Sequence, residues 1–167
     1  MKRNKGFTLA EMVAVIAILM LLAVLSTPFI KGYIDDAYNG KALIYLRELN
    51  EARMNFERDY PGTTIGGGNI FLTECNIEEI YGQESLQLEP SILVACRYLR
   101  EPTDVLGRYT FQAGSDASCN VCSSAGMTPV VSMVGGDNAG AYKDKCACID
   151  SLGRLCKQNS DGTANCP

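Results

Sequence analysis

One stretch constrains this chain more than any other. Met12 to Ile30 runs 19 residues without a charge. A helix rises about 1.5 Å per residue, so the run spans roughly 29 Å, close to the ~30 Å hydrocarbon core of a bilayer. Between Lys5 and Lys31 the only charged residue is Glu11. Lys2, Arg3 and Lys5 precede the run, which favours a cytoplasmic N-terminus with the rest of the chain outside. The 167 residues therefore read as a membrane element followed by one domain.

Composition removes several functions. There is no His, which excludes Ser-His-Asp and Cys-His catalysis and any His-ligated metal. The net charge is −4, and loss of the three basic residues of the leader takes it to −7. An acidic domain without a basic stripe does not suit nucleic acid, whose binding depends on neutralising phosphates.

The apolar run has three readings. A secretory signal needs a small-residue cleavage site, and only Ser26-Thr27-Pro28 offers one. A plain signal anchor explains length and orientation but not Glu11, because a carboxylate in an apolar helix is costly in lipid unless paired or capped. The third reading rests on Gly6-Phe7-Thr8-Leu9-Ala10-Glu11, which follows a basic leader and opens the apolar run. This segment closely resembles the class III signal of type IV prepilins and pseudopilins. The resemblance covers about the first thirty residues and includes Pro28. It implies cleavage between Gly6 and Phe7 by a membrane peptidase, N-methylation of the new terminus at Phe7, and use of Glu11 in assembly.

Glu11 suits that role on physical grounds. A carboxylate moved from lipid into an apolar bundle needs a counter-charge. The amine of Phe7 on a neighbouring copy supplies one and stays cationic after methylation. A plainer role is also open, since Thr8-Leu9-Ala10-Glu11 has the form of a capping box. Pro28 removes a backbone donor and frees the carbonyl of Val24, so a kink or an unwound turn is expected over residues 24–28, with Ser26 and Thr27 helping to satisfy it.

Beyond Tyr33 the pattern becomes amphipathic. Tyr38, Ala42, Tyr45, Leu49, Ala52 and Phe56 recur at spacings of four and three, with Leu46 beside them. This is the face against which a sheet packs. Arg47 with Glu51 and Arg53 with Glu57 are i,i+4 pairs. Tyr60-Pro61-Gly62 ends the helix and resembles the Tyr-Pro turn after the long helix of many pilins. Gly66-Gly67-Gly68 reads as a flexible link. Ile70 to Leu72 reads as a short strand, Ile77 to Tyr81 and Ser91 to Leu99 as short helices. Arg108 to Gln112 reads as a strand with Tyr109 and Phe111 inward, and Pro129 to Val134 as another. Pro102-Thr103-Asp104, Gly107, Tyr109 and Phe111 resemble a turn and strand of the major pseudopilin of type II secretion, but Val105 and Leu106 depart from its Pro-Trp.

All eight cysteines follow: Cys75, Cys96, Cys119, Cys122, Cys146, Cys148, Cys156 and Cys166. Such density outside the cytoplasm reads as four disulfides, and the sequence does not choose their connectivity. Cys75 with Cys96 and Cys156 with Cys166 are the pairings expected here. The latter also resembles the C-terminal disulfide loop of pilins. Cys119-x-x-Cys122 with Cys146-x-Cys148 offers a four-thiolate zinc site as an alternative. A thiol enzyme using Cys119 and Cys122 lacks a strand-then-helix context. Asp137, Asn138 and Asp144 offer oxygen ligands for calcium, or simply a turn.

The expected fold is α+β and pilin-like. A long N-terminal helix, half membrane and half amphipathic, packs on a small antiparallel sheet, followed by a Cys-rich irregular region. The expected organisation is a leader at 1–6, a transmembrane or filament-core helix at 7–31, its amphipathic half at 32–60 and a disulfide-rich head at 61–167. The expected function is a structural subunit of a type IV pilus-type filament, with no enzymatic activity, cofactor or metal. Its partners would be other copies or related pilins, the prepilin peptidase/methyltransferase and the bacterial inner membrane. The alternatives are a pseudopilin of a type II secretion or DNA-uptake apparatus, and a single-pass adhesion or receptor module that does not polymerise.

Overall fold

The computed structural model describes residues 8–70, 75, 86–88, 91–101, 104–105, 107–113 and 119–166. The cleavage pair Gly6 and Phe7, the helix expected at 77–81, Leu72, and Pro102, Thr103 and Leu106 lie outside them.

Helix α1 spans Leu9–Asp59, 51 residues. Thr8 starts it as N-cap, and Tyr60 stops it, its amide donating to the Phe56 carbonyl at 2.9 Å before Pro61. Residues 9–34 are exposed on every side. From Asp35 onward one face is covered: Asp35, Asn39, Ala42, Leu46, Leu49, Ala52 and Phe56 are buried. The covered stripe is thus rotated from the expected one. Leu46 lies at its centre, while Tyr38 and Tyr45 sit half-buried on its rim. A tyrosine suits a rim, where the ring packs and the hydroxyl stays wet. The chain remains helical through Pro28 rather than unwinding, and Ser26 and Thr27 both donate to the Ala23 carbonyl, at 3.0 and 2.9 Å, not to Val24. Of the two expected ion pairs on the helix surface, Arg53–Glu57 closes at 2.9 Å.

Strand β1 (Thr63–Ile70) pairs in parallel with β2 (Leu86–Leu88). The triple glycine is therefore part of a strand and not a loose link. Glu57 anchors its start by accepting from the Ile65 amide at 3.1 Å. A short helix α2 (Ser91–Ala95) follows, shorter than the expected 91–99 because Arg97 turns the chain at positive φ. The main sheet is antiparallel with the order β3 (Tyr109–Ala113), β4 (Pro129–Gly135), β5 (Cys146–Asp150), β6 (Leu155–Gln158) and β7 (Ala164–Asn165). Between β3 and β4 lies α3 (Asn120–Ser124), and between β4 and β5 a 3-10 segment, Asp137–Tyr142.

The sheet has two covered faces. Val131, Met133, Ala147 and Ile149 join the core formed with α1. Cys148 and Cys156 point to the other side, where Cys119, Val121, Cys122 and Met127 of the α3 region cover them. Within the Cys-rich region expected to be irregular, three short strands, β5, β6 and β7, extend the sheet. All five residues of β5 are buried, so it lacks the apolar–polar alternation that marks a strand with one wet face.

One close approach locks the head to the helix. Gly140 has φ +62, and a β-carbon there would overlap the Asp35 carboxylate. At Gly153, with φ +77, an added β-carbon would meet nothing within 4 Å among the described residues. Gly140→Ala is therefore expected to cost about 2–4 kcal/mol, combining strain with displacement of a buried group. Gly153→Ala should cost about 1 kcal/mol, from backbone strain alone. Comparative thermal unfolding of the two variants checks this.

Candidate functional site

The N-terminal end of α1 is held by a reciprocal cap. The Thr8 amide and hydroxyl both donate to Glu11 Oε2, at 2.8 and 2.9 Å, and the Glu11 amide donates to Thr8 Oγ1 at 3.3 Å. Glu11 is thus engaged within its own chain. Its position is one turn into a helix that is long and apolar enough to cross a membrane, by length and composition.

The eight cysteines stand in four pairs at disulfide distance: Cys75–Cys96, Cys119–Cys146, Cys122–Cys148 and Cys156–Cys166. Their Cα separations are 4.8, 5.9, 6.4 and 4.2 Å respectively. The four residues weighed as a zinc site are the two bridges that tie α3 to β5. The sulfurs of Cys119, Cys122 and Cys148 lie within 4.8 Å of one another and are buried, each at disulfide distance from its partner, so a thiolate site there would require both bridges to be reduced.

Two of the three turn residues weighed for calcium have other partners. Asp137 pairs with Lys143 at 2.7 Å, and Asn138 donates to the Gly107 carbonyl at 3.2 Å. Arg108 donates to the Asn138 carbonyl at 2.8 Å and stacks on Tyr38, its guanidinium 3.9 Å from the ring centre.

The contacts that sequence reasoning missed join this turn to α1. The Ala141 amide donates to Asp35 at 3.1 Å, and the Tyr142 hydroxyl to Asp36 at 2.8 Å. Burial, then the bond to Asp36, pushes the Tyr142 phenol above its usual value. Burial, reinforced by nearby Tyr142 and Asp35, lifts the Tyr109 phenol to about 12, and its hydroxyl has no hydrogen-bond partner among the described residues. No sequence signal marks Asp35, because its partner lies 106 residues away. At the other end of the sheet Asp150 accepts from the amides of Leu152 and Arg154 and from the Arg154 side chain, at 3.0, 2.8 and 2.7 Å. Its burial raises the carboxyl, but those bonds and the Arg154 charge outweigh it and hold the group below the usual range.

Beside α1 a groove of about 330 Å³ is lined by Ile44, Tyr45, Glu48 and Arg100 and walled by the Lys41–Asp104 pair, closed at 3.1 Å.

Residues 1–27 match the model of the prokaryotic N-terminal methylation motif. The chain carries the class III signal of type IV pilins and pseudopilins. This signal sits directly on the exposed helix, and a long helix packed on a small antiparallel sheet follows it, as the resemblance implies. No curated protein and no solved structure matches the chain.

Proposed function

We propose that this chain is a structural subunit of a type IV pilus-type filament, drawn from the inner membrane after its leader is cut between Gly6 and Phe7 and Phe7 is methylated. The observation that carries this reading is the methylation motif on a helix whose first half is bare on every side while its second half is the spine of the head. A bare apolar half has two stable surroundings, lipid or other apolar helices, and a filament core supplies the second. The head lies outside the membrane and is stapled by four disulfides. Other copies of the chain and the peptidase/methyltransferase are its partners, and it has no catalytic role of its own.

In this reading Glu11 has two states. In lipid the Thr8 cap satisfies one carboxylate oxygen. In the bundle the methylated amine of Phe7 on a neighbouring copy neutralises the charge and fixes the axial register, because any other offset leaves two charges uncompensated.

The intact mass of the protein from its host membrane tests the reading. It should show loss of Met1 to Gly6, gain of one methyl group and eight fewer hydrogens than the reduced chain. An N-terminus still at Met1 would leave only a single-pass anchored module. A pseudopilin carries the same signal. Long surface fibres labelled by antibody to the head select the pilus, and their absence selects the short secretion or DNA-uptake fibre.

A further inference from the structure

Strand β3 climbs α1. Arg108 stacks on Tyr38, and Phe111 lies edge-on to Tyr45 with ring centres 4.8 Å apart. Three strand residues and seven helix residues each advance about 10 Å, so the strand runs along the helix and away from its apolar half. The antiparallel order then places Gly136–Lys145 and the β6–β7 turn, residues 159–163, at the end of the head nearest the apolar half. The Lys145 ammonium lies against Gly162, which joins the two loops.

The depth of that end follows from the helix. Ile30 closes the charge-free run, and Asp35, clamped to Ala141, comes five residues later. That is about 7.5 Å further along the axis, while a headgroup layer is roughly 5–7.5 Å thick on each side of the hydrocarbon. Phe29 and Tyr33, both more than 70% exposed, flank Lys31 at the boundary, where aromatic and basic residues anchor a span. The surface mixes signs: Lys31, Asp137, Lys143, Asp144, Lys145 and Asp161 alternate rather than cluster. A polyanionic lipid surface attracts a basic cluster, whereas interleaved charges match a headgroup that carries both phosphate and ammonium.

We propose that this end of the head rests in the headgroup layer of zwitterionic phospholipid, with Asp35 and Asp36 holding the 3-10 segment at that depth. The proposal rests on the reading of α1 as a membrane span. It adds a defined lipid-contact surface and a fixed upright pose, with Leu152 in the β5–β6 turn at the far end.

The chain has no Trp, so one introduced indole is the sole probe. Asn138→Trp, Ser160→Trp and Leu152→Trp are each placed in the full chain and reconstituted in phosphatidylethanolamine–phosphatidylcholine vesicles. Headgroup spin-labelled lipid is then added, and retention on the vesicles is read by flotation. Expected is marked loss of emission at positions 138 and 160 and none at 152. Equal loss at both ends, or none at 138 and 160, in vesicles that retain the protein overturns the proposal and leaves the membrane span intact. Loss of the protein from floated vesicles overturns the span and the proposal together. Two lower probes guard against local damage at Asn138, whose side chain bonds Gly107.

Discussion

Glu11→Gln leaves leader removal and methylation intact and abolishes entry into filaments. The variant separates two roles that the structure superimposes on one side chain. Gln keeps an acceptor oxygen for the Thr8 amide and hydroxyl, which now meet Glu11 Oε2 at 2.8 and 2.9 Å, and it serves as well as Glu in a capping box. What it loses is charge. In the bundle the amine of Phe7 would then be buried alone, at a cost of about 3–5 kcal/mol, on the order of a hundredfold to a few thousandfold in association. Glu11→Ala removes the cap as well, worth about 1 kcal/mol, which a helix of 51 residues tolerates. Both variants are therefore expected in the membrane with the mature mass and absent from sheared fibres. Normal fibres from Glu11→Gln would reduce Glu11 to a cap, and the register argument would go with it.

The legible parts of this chain are those whose cause is local. The span of α1 follows from an uninterrupted apolar run and then a four-three spacing, and both survive in the structure from Leu9 to Asp59. Tyr109 and Phe111 face α1 as their alternation implies. The rotation of the stripe toward Leu46 was not legible, because Tyr counts as apolar in a periodicity while its hydroxyl draws it to the rim. Asp35 and Asn39 are buried polar residues on an otherwise exposed stretch, and only contacts with the distant 136–145 segment explain the burial of Asp35. Strand β5 was hidden for a different reason. Cys146-Ala147-Cys148-Ile149 is buried on both faces, and small residues with sulfur carry no period-two contrast. The structure sets Cys75 beside Cys96 and Cys156 beside Cys166, but the pairing of Cys119 and Cys122 across to β5 had no signal in spacing.

That crossed pairing sets the second large effect. Removing both bridges between α3 and β5, as Cys119→Ala, Cys122→Ala, Cys146→Ala and Cys148→Ala together, is expected to lower the stability of the head by about 3–4 kcal/mol from the separations of 27 and 26 alone, because either bridge left in place still closes nearly the same loop. All four cysteines are buried, so the cavities add to the loss. Alanine is the right replacement. Serine would place new hydroxyls beside Ser132, whose buried Oγ has no hydrogen-bond partner among the described residues. Removing Cys156 and Cys166 in the same way should cost about 2–3 kcal/mol, because that bridge spans a separation of 10 and Cys166 is only half-buried. Urea unfolding of the quadruple and the double variant, with the apolar half of α1 held in micelles, gives the order directly. The deeper reason lies in α3. Five residues do not hold a helix in water, so its position over β5 depends on what ties it there. If the bridges tie it, loss of both frees the outer layer and exposes Cys156 and the outer face of β4 and β5 to solvent. If the quadruple variant shifts the midpoint no more than the Cys156–Cys166 variant, apolar packing by Val121 and Met127 holds that layer instead, and the staples there are secondary.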